Sequence, residues 1–357
     1  MMKLHQLSLV CTIILANISP GFSQDSTAYD NVTDTITIIG VGDIMLGTNF
    51  PNAGYLPPND DFISLMQALF DTLKEADITF GNLEGGFMDD GPVVKKCRDT
   101  TKCYAFRTPV KYAACLDSAG FDFMSLANNH AADFGKAGLD TTQKILNKMG
   151  IGSAGLKRDP VCTIDRGGIK IGLCAFSPNK GTCDINDLTT ARSIVESLEA
   201  QVDIVVLSMH AGAEGADYQH VTKARESFYG ENRGDVYHFA REMIDAGADV
   251  IFGHGPHVTR AIDFYKGRFI IYSMGNFCTY GRFNLRGPNG IAPIVKLWLA
   301  KDGELIKARI IPVFQDEELG VRYDMAGRVI QRINYLTRQD IPELDFSIDE
   351  QGWILFQ

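Results

Sequence analysis

Alternating apolar and polar positions open the patterned part of the chain. Thr35–Val41 reads TITIIGV, a half-buried strand that ends in Gly42-Asp43. Phe62, Leu65, Met66, Leu69, Phe70 and Leu73 then recur at the i, i+3, i+4 spacing, which predicts one helix capped by Asp61. Short apolar runs at Ala76–Phe80 and Phe121–Leu126 read as strands. Between them Thr108-Pro109 starts a helix that Gly120 stops. A helix over Leu139–Met149, a hairpin over Cys162–Ser177 turning at Gly167-Gly168, and a helix over Thr189–Gln201 follow. Ile204–Met209 is a strand, and Ala211–Gly234 is polar and without a period. Asp235–Ala246 predicts a helix burying Val236, Phe239, Ala240, Met243 and Ile244, and Asp249–Phe252 a strand behind it. Two hairpins close the pattern, Ala261–Phe264 with Arg268–Tyr272 and Ile294–Leu299 with Leu305–Pro312, and Asp316–Gln357 reads as helix and loop. Strands alternating with helices predict one α/β domain with a largely parallel inner sheet.

The first residues carry a different pattern. Lys3, an apolar run from Leu7 to Ile18 and Gly21-Phe22-Ser23 read as a secretory leader over residues 1–23, cleaved near Ser23/Gln24. The run is too short to span a membrane, and Val10 before Cys11 is not the small residue a lipoprotein signal requires. The expected product is exported, without a transmembrane anchor. Export permits disulfides: Cys97 and Cys103 bracket a short polar loop and are the best candidate pair, with Cys162 and Cys183 a weaker one. The formal charge is −10, about −11 once Lys3 is gone, which argues against a general nucleic-acid binder.

Polar residues with metal chemistry stand just beyond five of the strands. They are Asp43, Glu84, Asn129-His130, His210, and His254 with His257 in the turn of DVIFGHGPHV (249–258). Folds of this kind bind ligands outside the carboxyl ends of their strands. An Asp, Glu, Asn and three-histidine set has no thiolate, which suits manganese, iron or catalytic zinc rather than structural zinc. Six donors exceed one ordinary zinc site, so two ions are the better accounting, a pair able to clamp a phosphoryl group. His220 and His238 lie elsewhere.

Seven motifs in this order, GDIMLG (42–47), GNLEG (81–85), FRTP (106–109), SLANNHAADFG (125–135), HAGAE (210–214), GADVIFGHGPHV (247–258) and IYSMGNF (271–277), resemble the CapA/PgsA family. These are poly-γ-glutamate capsule synthesis proteins, a branch of the calcineurin-like metallophosphatases. The resemblance implies an α/β metallophosphatase-like two-sheet sandwich flanked by helices, over 36–315, with 316–357 as an extension packed on the same domain. It implies Asp43, Glu84, Asn129, His210, His254 and His257 as metal ligands, His130 as the catalytic acid and Asp133 as the residue orienting it. Asn82, Arg107, Tyr272 and Asn276 become candidates for supporting the metals or meeting substrate. Arg233, Arg260 and Arg282 are further candidates for holding a phosphate or carboxylate, and Asn128 is expected to brace the loop. Phe87 and Met88 are read as core or pocket lining.

Three positions depart from the pattern: Met45 where the wider superfamily has histidine, Ala211 where an aromatic is usual, and a longer segment over 215–234. The implied activity is metal-dependent hydrolysis of a phosphoester, with an amide or isopeptide bond of an anionic polymer as the competing target. The implied partners are an anionic polymer or phosphorylated small molecule and a capsule synthesis complex. The alternative is a non-catalytic, metal-binding accessory subunit of such an assembly.

Overall fold

Thr35–Met45 is the central strand of the larger sheet and is almost wholly buried beyond Thr37. The computed structural model describes residues 35–96, 103–316 and 320–356; the leader and Cys97 lie outside these. On one side Thr35–Met45 pairs in parallel with Ile78–Leu83, followed by Phe123–Ser125 and Gly152–Ala154, all parallel. On the other it pairs antiparallel with Ile291–Ala300, which continues into Leu305–Asp316. Near its carboxyl end Asn276–Thr279 also joins it in parallel.

The second sheet runs Ile262–Tyr265, Arg268–Ile271, Val250–His254, Ile204–His210, Ile169–Phe176, Val161–Arg166. Its four inner strands are parallel, and both edge strands are antiparallel hairpin arms. The inner faces of the two sheets share one apolar cluster, with Ile38, Phe80 and Phe123 from the first and Leu173, Val206, Phe252 and Ile271 from the second. Phe80 and Phe252 stack across the layer, ring centroids 5.3 Å apart and planes 10° from parallel. The space for Phe252 comes from Gly40, where a Cβ would sit 2.5 Å from the ring.

Helices cover the outer faces. Gly135–Lys148 and Ala114–Ala119 pack on the larger sheet, the latter ending in the left-handed Gly120. Leu188–Glu199 and Val236–Asp245 pack on the smaller one, and the second buries Val236, Phe239, Ala240, Met243 and Ile244, the five residues its period predicts. Asp235 caps it by accepting from the His238 N–H at 3.0 Å.

Three expectations need correction. The predicted helix over 62–73 is broken into turns, a 3-10 segment Gln67–Leu69 and a single helical turn Phe70–Leu73. Leu65, Met66, Leu69 and Leu73 are buried as their spacing requires, but the Leu65 carbonyl accepts from Val321 N–H at 2.8 Å. A carbonyl engaged across the fold does not close the i→i+4 ladder. The tail carries strands as well as a helix: Gly320–Tyr323 and Trp353–Phe356 pair with Leu305–Asp316, and Arg328–Asp340 is helical. Cys162 and Cys183 are both free thiols, so the weaker disulfide candidate is not formed. Cys103 is disulfide-bonded, and the pairing proposed with Cys97 falls outside the described residues.

Candidate metal centre

The carboxyl ends of both sheets bring the strand-end residues to one rim. Gly42 makes the approach possible on the first strand: a Cβ there would fall 2.0 Å from the Gly275 carbonyl. The neighbouring register shift around Asp43 bends the strand, as a bulge does when it re-aims a side chain. Asp43 is fully buried. Its Oδ2 lies 2.8 Å from His257 Nδ1 and its Oδ1 3.4 Å from His254 Nδ1.

Glu84 is equally buried, with Oε2 3.3 Å from His210 Nε2. Between the two carboxylates stands Asn82, whose Nδ2 donates to Asp43 Oδ1 and to Glu84 Oε2, both at 2.8 Å. Asn128 fixes that amide from behind, donating to Asn82 Oδ1 at 3.1 Å and to the Leu83 carbonyl at 2.8 Å. One amide thus sets the separation of two anions that would otherwise repel.

On the second sheet, His210 and His254 are opposite each other in register on adjacent parallel strands. Neither ring nitrogen of either residue has a hydrogen-bond partner, although all four are buried. Glu84 Oε1 and Asn129 Oδ1 are buried and unpartnered as well. Buried polar atoms without partners are rare in folded proteins and call for an explanation. His257 follows in the left-handed region at φ 57. Its carbonyl accepts from Asn276 Nδ2 at 3.3 Å and Asn289 Nδ2 at 3.2 Å, which hold the turn.

The electrostatics follow from these contacts. Burial pushes the Asp43 carboxyl up, but the close imidazoles of His254 and His257 outweigh it and hold the group well below the usual carboxylate range. Burial likewise raises Glu84, and the nearby His210 imidazole overcomes it, leaving a pKa of about 2. Burial depresses His254. It would depress His257 too, yet the bond to Asp43 wins and lifts that imidazole to about 9.

Beside this group lies a second arrangement. His130 Nδ1 is 2.7 Å from Asp133 Oδ2, which also accepts from the Phe106 N–H at 2.9 Å. The His130 ring stacks on Phe106 with centroids 4.1 Å apart. Lys95, which no sequence pattern singles out, reaches Asp133 Oδ1 at 3.0 Å, His130 Nδ1 at 3.2 Å and the Asn129 carbonyl at 3.0 Å. Among the described residues no three His, Cys, Asp or Glu side chains converge as a ready-made ion cage. The donor set nonetheless fits divalent metal: hard oxygens, imidazole nitrogens and six buried polar atoms without a partner.

The model of the bacterial capsule synthesis proteins, PGA_cap, matches residues 37–280. The chain belongs to the PGA_cap family. Among its relatives are the capsule biosynthesis protein CapA of Bacillus anthracis, 27% identical over 264 residues that cover 68% of this chain and 60% of that protein, and the PGA biosynthesis protein CapA of Bacillus subtilis (strain 168), 25% identical over 289 residues that cover 76% and 70%. Among solved structures it resembles a 5'-nucleotidase precursor from Thermus thermophilus, with 12% identity, a TM-score of 0.44, and coverage of 88% of this chain and 61% of that one.

Within the PGA_cap match, the structure gathers Asp43, Glu84, His210, His254 and His257, with Asn82 and Asn276 in support. Tyr272 turns away: its hydroxyl donates to Asp263 at 2.9 Å in the outer layer, among Tyr237 and Arg241. Arg260 is fully buried and committed to Glu226 at 2.7 and 2.8 Å. Arg233 holds Glu214 at 2.9 Å and the Gly212 carbonyl. Arg107 donates to Asn49 and the Gly91 carbonyl and sits over Phe50 and Phe134. Those three arginines serve the scaffold. Phe87 is core.

Proposed function

We propose that this PGA_cap protein is an exported metal-dependent hydrolase of the CapA type, serving capsule or poly-γ-glutamate synthesis or processing, with phosphoester hydrolysis as its reaction by analogy. The observation that carries this reading is the set of buried, unpartnered nitrogens on His210 and His254 beside two ionised carboxylates. Asp43, Glu84, Asn129, His210, His254 and His257 would hold two divalent ions, manganese, iron or zinc. Bound there, the ions would supply Lewis acidity and an activated water.

The chain's own residues have separable tasks. Asn82 spaces and orients the carboxylates. Asp133 fixes the His130 ring through Nδ1, which leaves Nε2 as the atom to pass a proton to the leaving oxygen as its bond breaks. Phe106 covers one face of that ring and limits its rotation. Lys95 neutralises Asp133 and ties the loop together. The substrate would be an anionic polymer or a phosphorylated small molecule.

A second reading, a non-catalytic accessory subunit, rests on Met45. In place of a histidine ligand stands a buried thioether whose sulfur accepts from the Gly47 N–H at 3.2 Å. Elemental analysis of purified protein beside His254→Ala separates the readings. Two equivalents of metal, reduced in the variant and accompanied by phosphodiester turnover that His130→Ala abolishes, support the hydrolase. One equivalent without turnover favours the subunit, and no metal after reconstitution sinks both assignments of the site.

A further inference from the structure

Arg282 is placed differently from the chain's other motif-adjacent arginines. Its guanidinium carbon sits 5.0 Å from the Tyr55 ring centroid and 4.6 Å from that of Tyr104. Arg107, Arg233 and Arg260 each bond a carboxylate, side-chain amide or carbonyl, whereas Arg282 meets aromatic rings. A guanidinium carried by ring faces keeps its charge and its fork of N–H donors, while the rings hold it in place with little entropy left to lose.

Its position is fixed by the backbone. Gly281 has φ +91, and a Cβ there would lie 2.7 Å from the Tyr55 carbonyl, so the chain passes directly against that residue. One residue beyond Arg282, Phe283 stands 5.4 Å from the His257 ring and 5.2 Å from Phe106, the ring that stacks on His130. Arg282 therefore borders the rim between the candidate proton donor and the candidate metal ligands. Arg282 is partly exposed, and Tyr104 is 42% exposed, so the cation is open to a ligand arriving from solvent. The protein as a whole is acidic, at −10; a cation at this rim gives an incoming anion a local reason to settle there.

We propose that Arg282, presented by Tyr55 and Tyr104, receives an oxyanion of the substrate, a carboxylate or phosphate group, next to the reacting bond. It is a positioning residue, and the inference rests on the reading of the rim as the working site. The planar fork suits bidentate contact with either anion. Lysine in its place would keep the charge and lose the fork.

The test is calorimetric titration of metal-reconstituted and chelator-stripped protein with two probes, inorganic phosphate and a γ-linked glutamate pentamer, at low salt. Wild type, Arg282→Ala, Arg282→Lys and Tyr104→Ala are compared, with metal content measured for each. We expect Arg282→Ala to weaken at least one probe tenfold or more in both protein states, with metal content unchanged. Arg282→Lys should recover part of that loss, and Tyr104→Ala should fall between. The probe affected tells phosphate from carboxylate. Affinity indifferent to Arg282→Ala, or lost only with the metal, overturns the proposal and leaves the hydrolase reading standing. Arg282-dependent binding in a protein that holds no metal does the reverse. Failure of wild type to bind either probe also overturns it.

Discussion

At the scale of single residues, Asn82 is the position on which most depends. Its amide donates to both Asp43 and Glu84, so Asn82→Ala would leave two buried carboxylates facing each other without a shared donor. Outer contacts of this kind typically tune metal affinity by about 10- to 100-fold. We expect a loss of that order in competition titrations with a fluorescent chelator, and an unchanged affinity would remove Asn82 from the site. Asp249 makes a different prediction. Burial lifts its carboxyl to about 6, against hydrogen bonding from Val205 N–H and the nearby Arg268. A carboxyl raised on folding stabilises the fold fully only below its unfolded value, and that contribution is lost as pH rises through about 6. Urea unfolding across pH 4–8 should therefore show Asp249→Asn gaining on wild type as pH rises to about 6, then holding level. A constant difference would contradict the assignment.

At the scale of elements, the regular ones were legible and the tethered ones were not. Val236–Asp245 has a five-residue buried face, a cap at Asp235 and a stop at Gly247, all local signals that agree. Asp235→Ala should cost about 1 kcal/mol in denaturant unfolding, the usual worth of such a cap. The segment over 62–73 has an equally good period but bonds its backbone to Gly320–Tyr323, a partner roughly 250 positions away that no window of sequence contains. The candidate site divides the same way. Asp43, Glu84, His210 and His254 could be read because each ends a run that must be a strand. Lys95 lies in a polar loop with no period to locate it. Tyr272 stands beside motif residues but on the opposite face, which alternation along a strand decides and proximity in sequence does not.

For the molecule as a whole, the rim exists because two sheets close to stacking distance. Gly40 governs that distance, since any side chain there enters the Phe252 ring. Gly40→Ala should destabilise the protein by about 1–3 kcal/mol, the range for overpacking a filled core, read as a lower urea midpoint. It should also disturb metal binding at a rim it does not touch, because it would separate the sheet bearing Asp43 from the sheet bearing His254. An alanine variant as stable as wild type would show that the layers accommodate more than their packing implies.

The free thiols have a consequence of another kind. Cys115, Cys174, Cys183 and Cys278 are buried, and burial pushes each thiol above its ordinary pKa, Cys115 to about 12 and Cys183 to about 11. A thiol that is both shielded and protonated cannot meet an alkylating reagent while the chain is closed. Each one is a silent clock. The rate at which label accumulates on a given cysteine counts how often its part of the core opens, so the two outer layers, with Cys115 and Cys278 in one and Cys174 and Cys183 in the other, can be timed separately in a single tube.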